Sequence, residues 1–115
     1  MSAQLNRVIL AGNLIRNPET RRSERGDIVT ELNVATNRKW KNAAGEEKSE
    51  ACFVIVDVWG KQAESAEKFL KKGSGVLIDG RLEFDAWTGK DGQQRTMLKV
   101  HAERLQFLDA REEAA

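Results

Sequence analysis

Alternation with a period of two runs through most of this chain. Val8-Ile9-Leu10-Ala11 is a short apolar run that stops at Gly12-Asn13 and predicts a buried strand. From Ile28 to Thr36, Ile28, Leu32 and Val34 share a face with Thr30 and Thr36, while Glu31 and Asn33 fall on the other. Val76, Ile78, Leu82 and Phe84 alternate with Asp79, Arg81 and Glu83, and Leu98, Val100 and Ala102 alternate with Lys99, His101 and Glu103. Each pattern predicts a sheet strand with one apolar and one wet face, which sends Lys99 and His101 toward solvent. In Phe53-Val54-Ile55-Val56-Asp57-Val58-Trp59, the three valines form one face and Phe53, Ile55, Asp57 and Trp59 the other. A lone Asp is rarely buried unpaired, so the valine face is the core face. Phe53 and Trp59 are thereby presented outward.

Polar turns separate these segments. Asn17-Pro18-Glu19 opens the first loop, Arg25-Gly26-Asp27 leads into the second strand, and Asn42 to Glu47 and Gly89 to Gly92 predict hairpin turns. Lys61 to Lys72 is the one helical stretch, with Ala63, Ala66 and Leu70 on one face and Gly73 as its C-terminal cap. The order is three strands, one helix, two strands. That is the order of an all-β, five-stranded OB-fold, a Greek-key barrel with its helix between strands 3 and 4. A sandwich or another small barrel fits the same pattern.

Composition narrows the chemistry. At 115 residues the chain makes one domain. No apolar run approaches the ~20 residues that span a bilayer, and the start lacks a signal peptide's apolar stretch, so a cytoplasmic protein without membrane contacts is expected. A single cysteine, Cys52, and a single histidine, His101, exclude multi-Cys zinc sites and every motif needing two histidines. Gly73-Ser74-Gly75 is no dinucleotide loop, because Ile78 stands where the last glycine belongs. No basic neighbour in sequence activates Cys52, and the carboxylate pairs lie in polar loops or the tail. No catalysis, metal or cofactor is expected.

The 19 Lys and Arg nearly cancel the 18 Asp and Glu, and a formal charge of +1 argues against indiscriminate polyanion binding. The aromatics argue the other way. Three Trp accompany four Phe and no Tyr. Trp40 sits among Arg38, Lys39 and Lys41, a poor setting for a core indole, and Trp87 precedes a polar turn. With Phe53 and Trp59 they make four exposed aromatics interleaved with cations. Bases are the natural ligand: aromatic rings stack on them whatever the sequence, and cations neutralise phosphates.

Asn6-Arg7-Val8-Ile9-Leu10-Ala11-Gly12-Asn13-Leu14, then Pro18-Glu19 and Arg21, begin a series of matches in order and spacing. Ala35-Thr36 leading to Trp40, Trp59-Gly60-Lys61 with Ala63-Glu64, and Leu70-Lys71-Lys72-Gly73-Ser74 continue it. Gly80-Arg81-Leu82, Trp87 and Gly92-Gln93 with Arg95 complete it. Over residues 4–108 the chain resembles the bacterial single-stranded DNA-binding proteins. The resemblance implies an OB-fold that self-associates, as a homotetramer, and holds single-stranded DNA during replication, recombination and repair. It implies base stacking on Trp40, Phe53, Trp59 and Trp87. It also implies phosphate contacts from Arg7, Arg21, Lys61 and Lys72, to which Arg38, Lys39 and Lys41 around Trp40 are added.

Residues 1–108 are then the DNA-binding domain and 109–115 a short disordered tail. The sequence departs from the family in places. Phe53 stands where Trp is usual, Val54 and Ile55 replace polar or basic residues, and Glu83 and Asp85 lie on an arm that is often basic. The family's acidic tip ending in Pro-Phe is not in this sequence, so replication and repair proteins are expected partners only of a form that carries it. The alternative is an OB-fold scaffold of a replication-restart or plasmid system that binds proteins first and DNA second.

Overall fold

A computed structural model describes residues 3–108; residues 109–115, and with them the expected tail, lie outside the described residues. The elements are β1 (Val8–Leu14), β2 (Glu19–Arg22), β3 (Ile28–Lys41), β4 (Glu47–Trp59), α1 (Gly60–Phe69), β5 (Gly75–Thr88) and β6 (Gln94–Leu108). The ladders β1–β5, β5–β6, β6–β4, β4–β3 and β3–β1 close a ring of five strands. All are antiparallel except β4–β6, which is parallel and pairs only Val56 with Val100 and Asp57 with His101. This is the OB-fold ring the alternation predicts. The added strand, β2, lies in the expected first loop and pairs with the start of β3. Glu19-Thr20-Arg21-Arg22 carries no apolar alternation, so its place comes from backbone bonds and one buried hydroxyl.

Leu14, Leu32, Val34, Val56, Val58, Val76, Ile78, Val100 and Ala102 fill the ring, joined by Ala63, Ala66 and Leu70 from the helix side. Full burial of each larger side chain stabilises by ~1.5–3 kcal/mol. Thr30 Oγ1 donates to the Ala63 carbonyl (2.8 Å) and lies 2.8 Å from Thr20 Oγ1, tying α1 and β2 to the ring. The helix stops at Phe69: Leu70 is already extended, and its N–H still bonds the Ala66 carbonyl. Gly73 is therefore a turn residue beyond the helix (φ 94°), and not its cap. Gly80 lies opposite a bulge in β6, where Glu103 is the extra residue between the partners of Asp79 and Gly80. A Cβ on Gly80 would collide with the His101 carbonyl, so only glycine lets β5 and β6 cross this closely.

The strands outrun the ring. β3 and β4 continue as a ribbon to a turn where Asn42 Oδ1 accepts from the N–H groups of Ala44 and Glu46. β5 and β6 continue as a second ribbon to the Gly89–Gln93 turn. Along this arm the apolar positions lose their cover: Phe84 is 65% and Leu98 62% exposed, and Leu82 is exposed as well. The alternation assigns these three to an apolar face correctly, but that face has passed the end of the barrel. No helix among the described residues is long and apolar enough to cross a membrane.

Candidate nucleic-acid interface

The outer face of β4 carries Phe53, Ile55, Asp57 and Trp59, as the valine alternation requires. Phe53 is 66% exposed and lies opposite Ala35. Residues paired across a ladder share a face, so Ala35, Asn37, Lys39 and Lys41 of β3 stand on the Phe53 side. Trp59 lies across from Val29, and Val29 lies across from Arg21. A row Arg21–Val29–Trp59 therefore crosses three strands, with Val29 buried in the middle. Trp59 is half-buried, its ring centroid 6.4 Å from that of His101. On the arm, Trp87 is exposed and lies across from Arg95, which is paired to Asp91 at 2.8 Å.

The ladder links these positions into one surface. Asp57 pairs with His101 across the β4–β6 seam, and His101 pairs with Arg81 of β5. Glu83 opposite Lys99, Asp85 opposite Met97 and Trp87 opposite Arg95 continue the same face outward. Phe53, Trp59 and Trp87 thus look out from one side of the molecule. Trp40 does not join them. It continues the parity of Leu32 and Val34, so it shares the other side of its ribbon with Arg38, Glu50 and Cys52.

Two expectations about the wet face are corrected. Lys99 is not solvated: it is 8% exposed, with Nζ 2.5 Å from Asp57 Oδ2 and 2.7 Å from Asp85 Oδ2. Asp57, at 1% exposure, is the buried acid that the face assignment assumed would not occur, and Lys99 is the partner that permits it. Burial alone pulls the lysine down. Hydrogen bonds to Asp57 and Asp85, with their charges, outweigh it and hold the ammonium above the usual lysine value. His101 is half-buried beside Trp59 and Glu83, not solvated with Glu103. Asp57 Oδ1, Trp59 Nε1 and His101 Nδ1 are buried without a hydrogen-bond partner in this patch.

The expected phosphate cations divide into two groups. Arg7 is bonded to Asp79 (2.8 Å) on the β1–β5 side of the barrel, and Arg21 lies 3.8 Å from Glu31. Arg38 is paired to Glu50 (3.2 Å), and its guanidinium carbon sits 4.2 Å from the Trp40 ring centroid. That cation–π contact covers part of the indole. Lys39, Lys41, Lys61 and Lys72 have no carboxylate partner among the described residues. Lys39 and Lys41 lie on the Phe53 face further out along the ribbon, Lys61 follows Trp59 across Gly60, and Lys72 sits where its backbone N–H bonds Asn17 Oδ1. Glu83 and Asp85, the acids that depart from a basic arm, are engaged by Arg81 and Lys99. The described residues hold no group of three His, Cys, Asp or Glu suited to a metal ion.

Sequence reasoning misses the Asp57–Lys99–Asp85 bridge, since nothing local marks partners this far apart in the chain. It also misses Arg95 as the cation beside Trp87. The hairpin signal at Gly89–Gly92 contains that pairing once the turn is used to set the register.

Comparison with known proteins matches this geometry. The model of the Single-strand binding protein family covers residues 5–108. A single-stranded DNA-binding protein of Wolinella succinogenes is 45% identical over 106 residues, 92% of this chain. The chain spans 65% of that relative's length, just under two thirds. Among solved structures, a deletion mutant of the single-stranded DNA binding protein from Thermus aquaticus superposes with a TM-score of 0.81 at 33% identity, over 93% of this chain and 52% of that one. The Plasmodium falciparum SSB complex with ssDNA gives 0.81 at 26% identity, over 95% and 99%. On the ring, the helix and the matched residues alike, this chain belongs to the single-strand binding protein family.

Proposed function

We propose that residues 1–108 bind single-stranded DNA without sequence preference, as a non-catalytic protector of strands exposed in replication, recombination and repair in the bacterial cytoplasm. One observation carries the reading: Phe53, Trp59 and Trp87 share an outer face bordered by Lys39, Lys41, Lys61 and Arg95. Bases stack on those rings. The unpaired lysines follow the phosphates, with Arg21 and Lys72 extending the track and Arg7 beyond it. Trp40 is reached where the strand passes round the edge of the β3–β4 ribbon, Arg38 holding its indole from one side. One OB-fold covers only ~4–16 nucleotides, so a homotetramer, drawn together through apolar side chains exposed on the single chain such as Leu5 and Ile9, lets one strand visit several copies.

The test uses the composition. With no Tyr, intrinsic emission comes from Trp40, Trp59 and Trp87. Oligothymidylate is expected to quench most of it and duplex DNA far less. Emission that stays constant under saturating oligothymidylate sinks the stacking reading. Light scattering on the same sample gives the subunit number.

A further inference from the structure

Asp57 and Trp59 are two positions apart on β4, and Asp85 and Trp87 are two positions apart on β5. Side chains at i and i+2 of a strand share a face, so each acid stands next to an indole along its own strand. The Lys99 ammonium, on the strand between them, bonds both acids at 2.5 and 2.7 Å. It spans the seam where β4 and β6 share only two residue pairs, and it is almost wholly withdrawn from solvent. Beyond that seam the arm has little else to hold it to β4. Its inner apolar face is exposed, and its tip is closed only by its own turn bonds and the Arg95–Asp91 pair.

We infer that Lys99 is a positioning residue for DNA binding: its two-acid bridge fixes the spacing between Trp59 on the barrel and Trp87 on the arm, so that one strand engages both indoles. This rests on the stacking reading above and goes beyond it. Lys99 touches no base. It acts by making the second indole wait where the first one's strand will arrive, which removes the ordering penalty the arm would otherwise pay on binding. The two aspartates act in series: the Lys99–Asp57 pair ties β6 to β4 beside Trp59, and the Lys99–Asp85 pair braces β6 against β5 beside Trp87.

The experiment is a coupling measurement on the full chain, by Trp quenching with oligothymidylates at high salt, where the charge change of an exposed acid is screened. One probe is shorter than the ~4-nucleotide lower bound of an OB-fold site and the other is ~16 nucleotides, at its upper bound. Lys99→Met is expected to lower the ratio of long-probe to short-probe affinity by ~10-fold, about the loss of one stacked base. Asp85→Asn guards against a misfolded Lys99 variant, because it keeps the buried Lys99–Asp57 pair. It should reduce long-probe affinity by ~3-fold in the parent protein and leave it unchanged in a Trp87→Ala background, the non-additivity expected of residues acting through one another. An equal effect in both backgrounds, or none in the parent, overturns the inference while leaving DNA binding intact. A parent protein whose emission no oligothymidylate quenches takes down the stacking reading, and this inference with it.

Discussion

The barrel and the two ribbons that leave it are made of the same strands under the same alternation, and they use it for opposite ends. Within the ring, Leu32, Val34, Val56 and Ile78 are sealed from water. A few residues beyond Ile78 on β5 and beside Val100 on β6, Phe84 and Leu98 occupy equivalent inward positions and stand open. Charge follows the reverse course. The acid and lysine on the outside of the ring, Asp57 and Lys99, are buried and paired, while the lysines of the β3–β4 ribbon, Lys39 and Lys41, are exposed. The difference teaches that polarity alone does not say which side of a small barrel is wet. Curvature buries a short stretch of the outer face where strands crowd at the seam, and uncovers the inner face where a ribbon has no opposite wall.

The comparison is broken most directly by truncating one residue in each region. Leu32→Ala should destabilise by ~2–5 kcal/mol, the range for a large buried residue cut back in a core. Phe84→Ala should stay within ~0.5 kcal/mol, as at an exposed site. Urea denaturation followed by circular dichroism measures both, and similar losses would mean that the arm is part of the core. Next in size are the binding effects on the shared outer face. Trp59→Ala and Trp87→Ala should each weaken oligothymidylate binding by ~1–3 kcal/mol, and Trp87→Ala should leave the urea midpoint in place. A shifted midpoint there would mark the arm indole as packing.

Much of this contrast is legible in the chain, and what is not has physical reasons. The parity of Val54, Val56 and Val58 sets Phe53 and Trp59 on the face away from the core, although a solvated Asp57, the ground for choosing that face, does not hold, because Lys99 lets the acid be buried there. The face of Trp40 depends on how far β3 runs. An end at Thr36 leaves the indole in a loop, whereas the strand continues to Lys41, and parity then puts Trp40 opposite Phe53. β2 is invisible because four polar residues without apolar alternation are held by backbone bonds and the Thr20–Thr30 hydroxyl contact. The burial of Lys99 escapes because ion pairing between distant strands is a tertiary fact, and a lysine in an alternating pattern looks the same buried or free.

Two smaller effects sharpen the contrast between buried and exposed charge. Because the folded protein holds the Lys99 ammonium above the ordinary lysine value, its proton is bound more tightly in the folded than in the unfolded state. The bridge's contribution is therefore whole at neutral pH. It declines as pH rises past the ordinary lysine value and is gone above the raised folded one. Alkaline unfolding curves of the parent and of Lys99→Met should converge in that range, and curves that stay parallel would show the bridge to be inert. The smallest effect belongs to an exposed cation: Lys61→Ala should lower the slope of log affinity against log salt by ~0.7, one counterion's worth on a single strand. The same slope in the parent should be shallow, since Arg7, Arg21, Arg38 and Arg95 are already neutralised by acids of the protein.

The parallel seam has a consequence in time. Both long hairpins, β3–β4 and β5–β6, close between neighbours in the chain, and local contacts of this kind form early. The Val56–Val100 and Asp57–His101 pairs join strands separated by the whole helix and β5, and the β1–β5 ladder joins strands further apart still, so these two closures share the loop-closure entropy of the ring. Closing the ring is therefore expected to be slower than zipping either hairpin, and with only two residue pairs the seam is expected to exchange its amide protons sooner than the longer ladders, which hydrogen exchange measures.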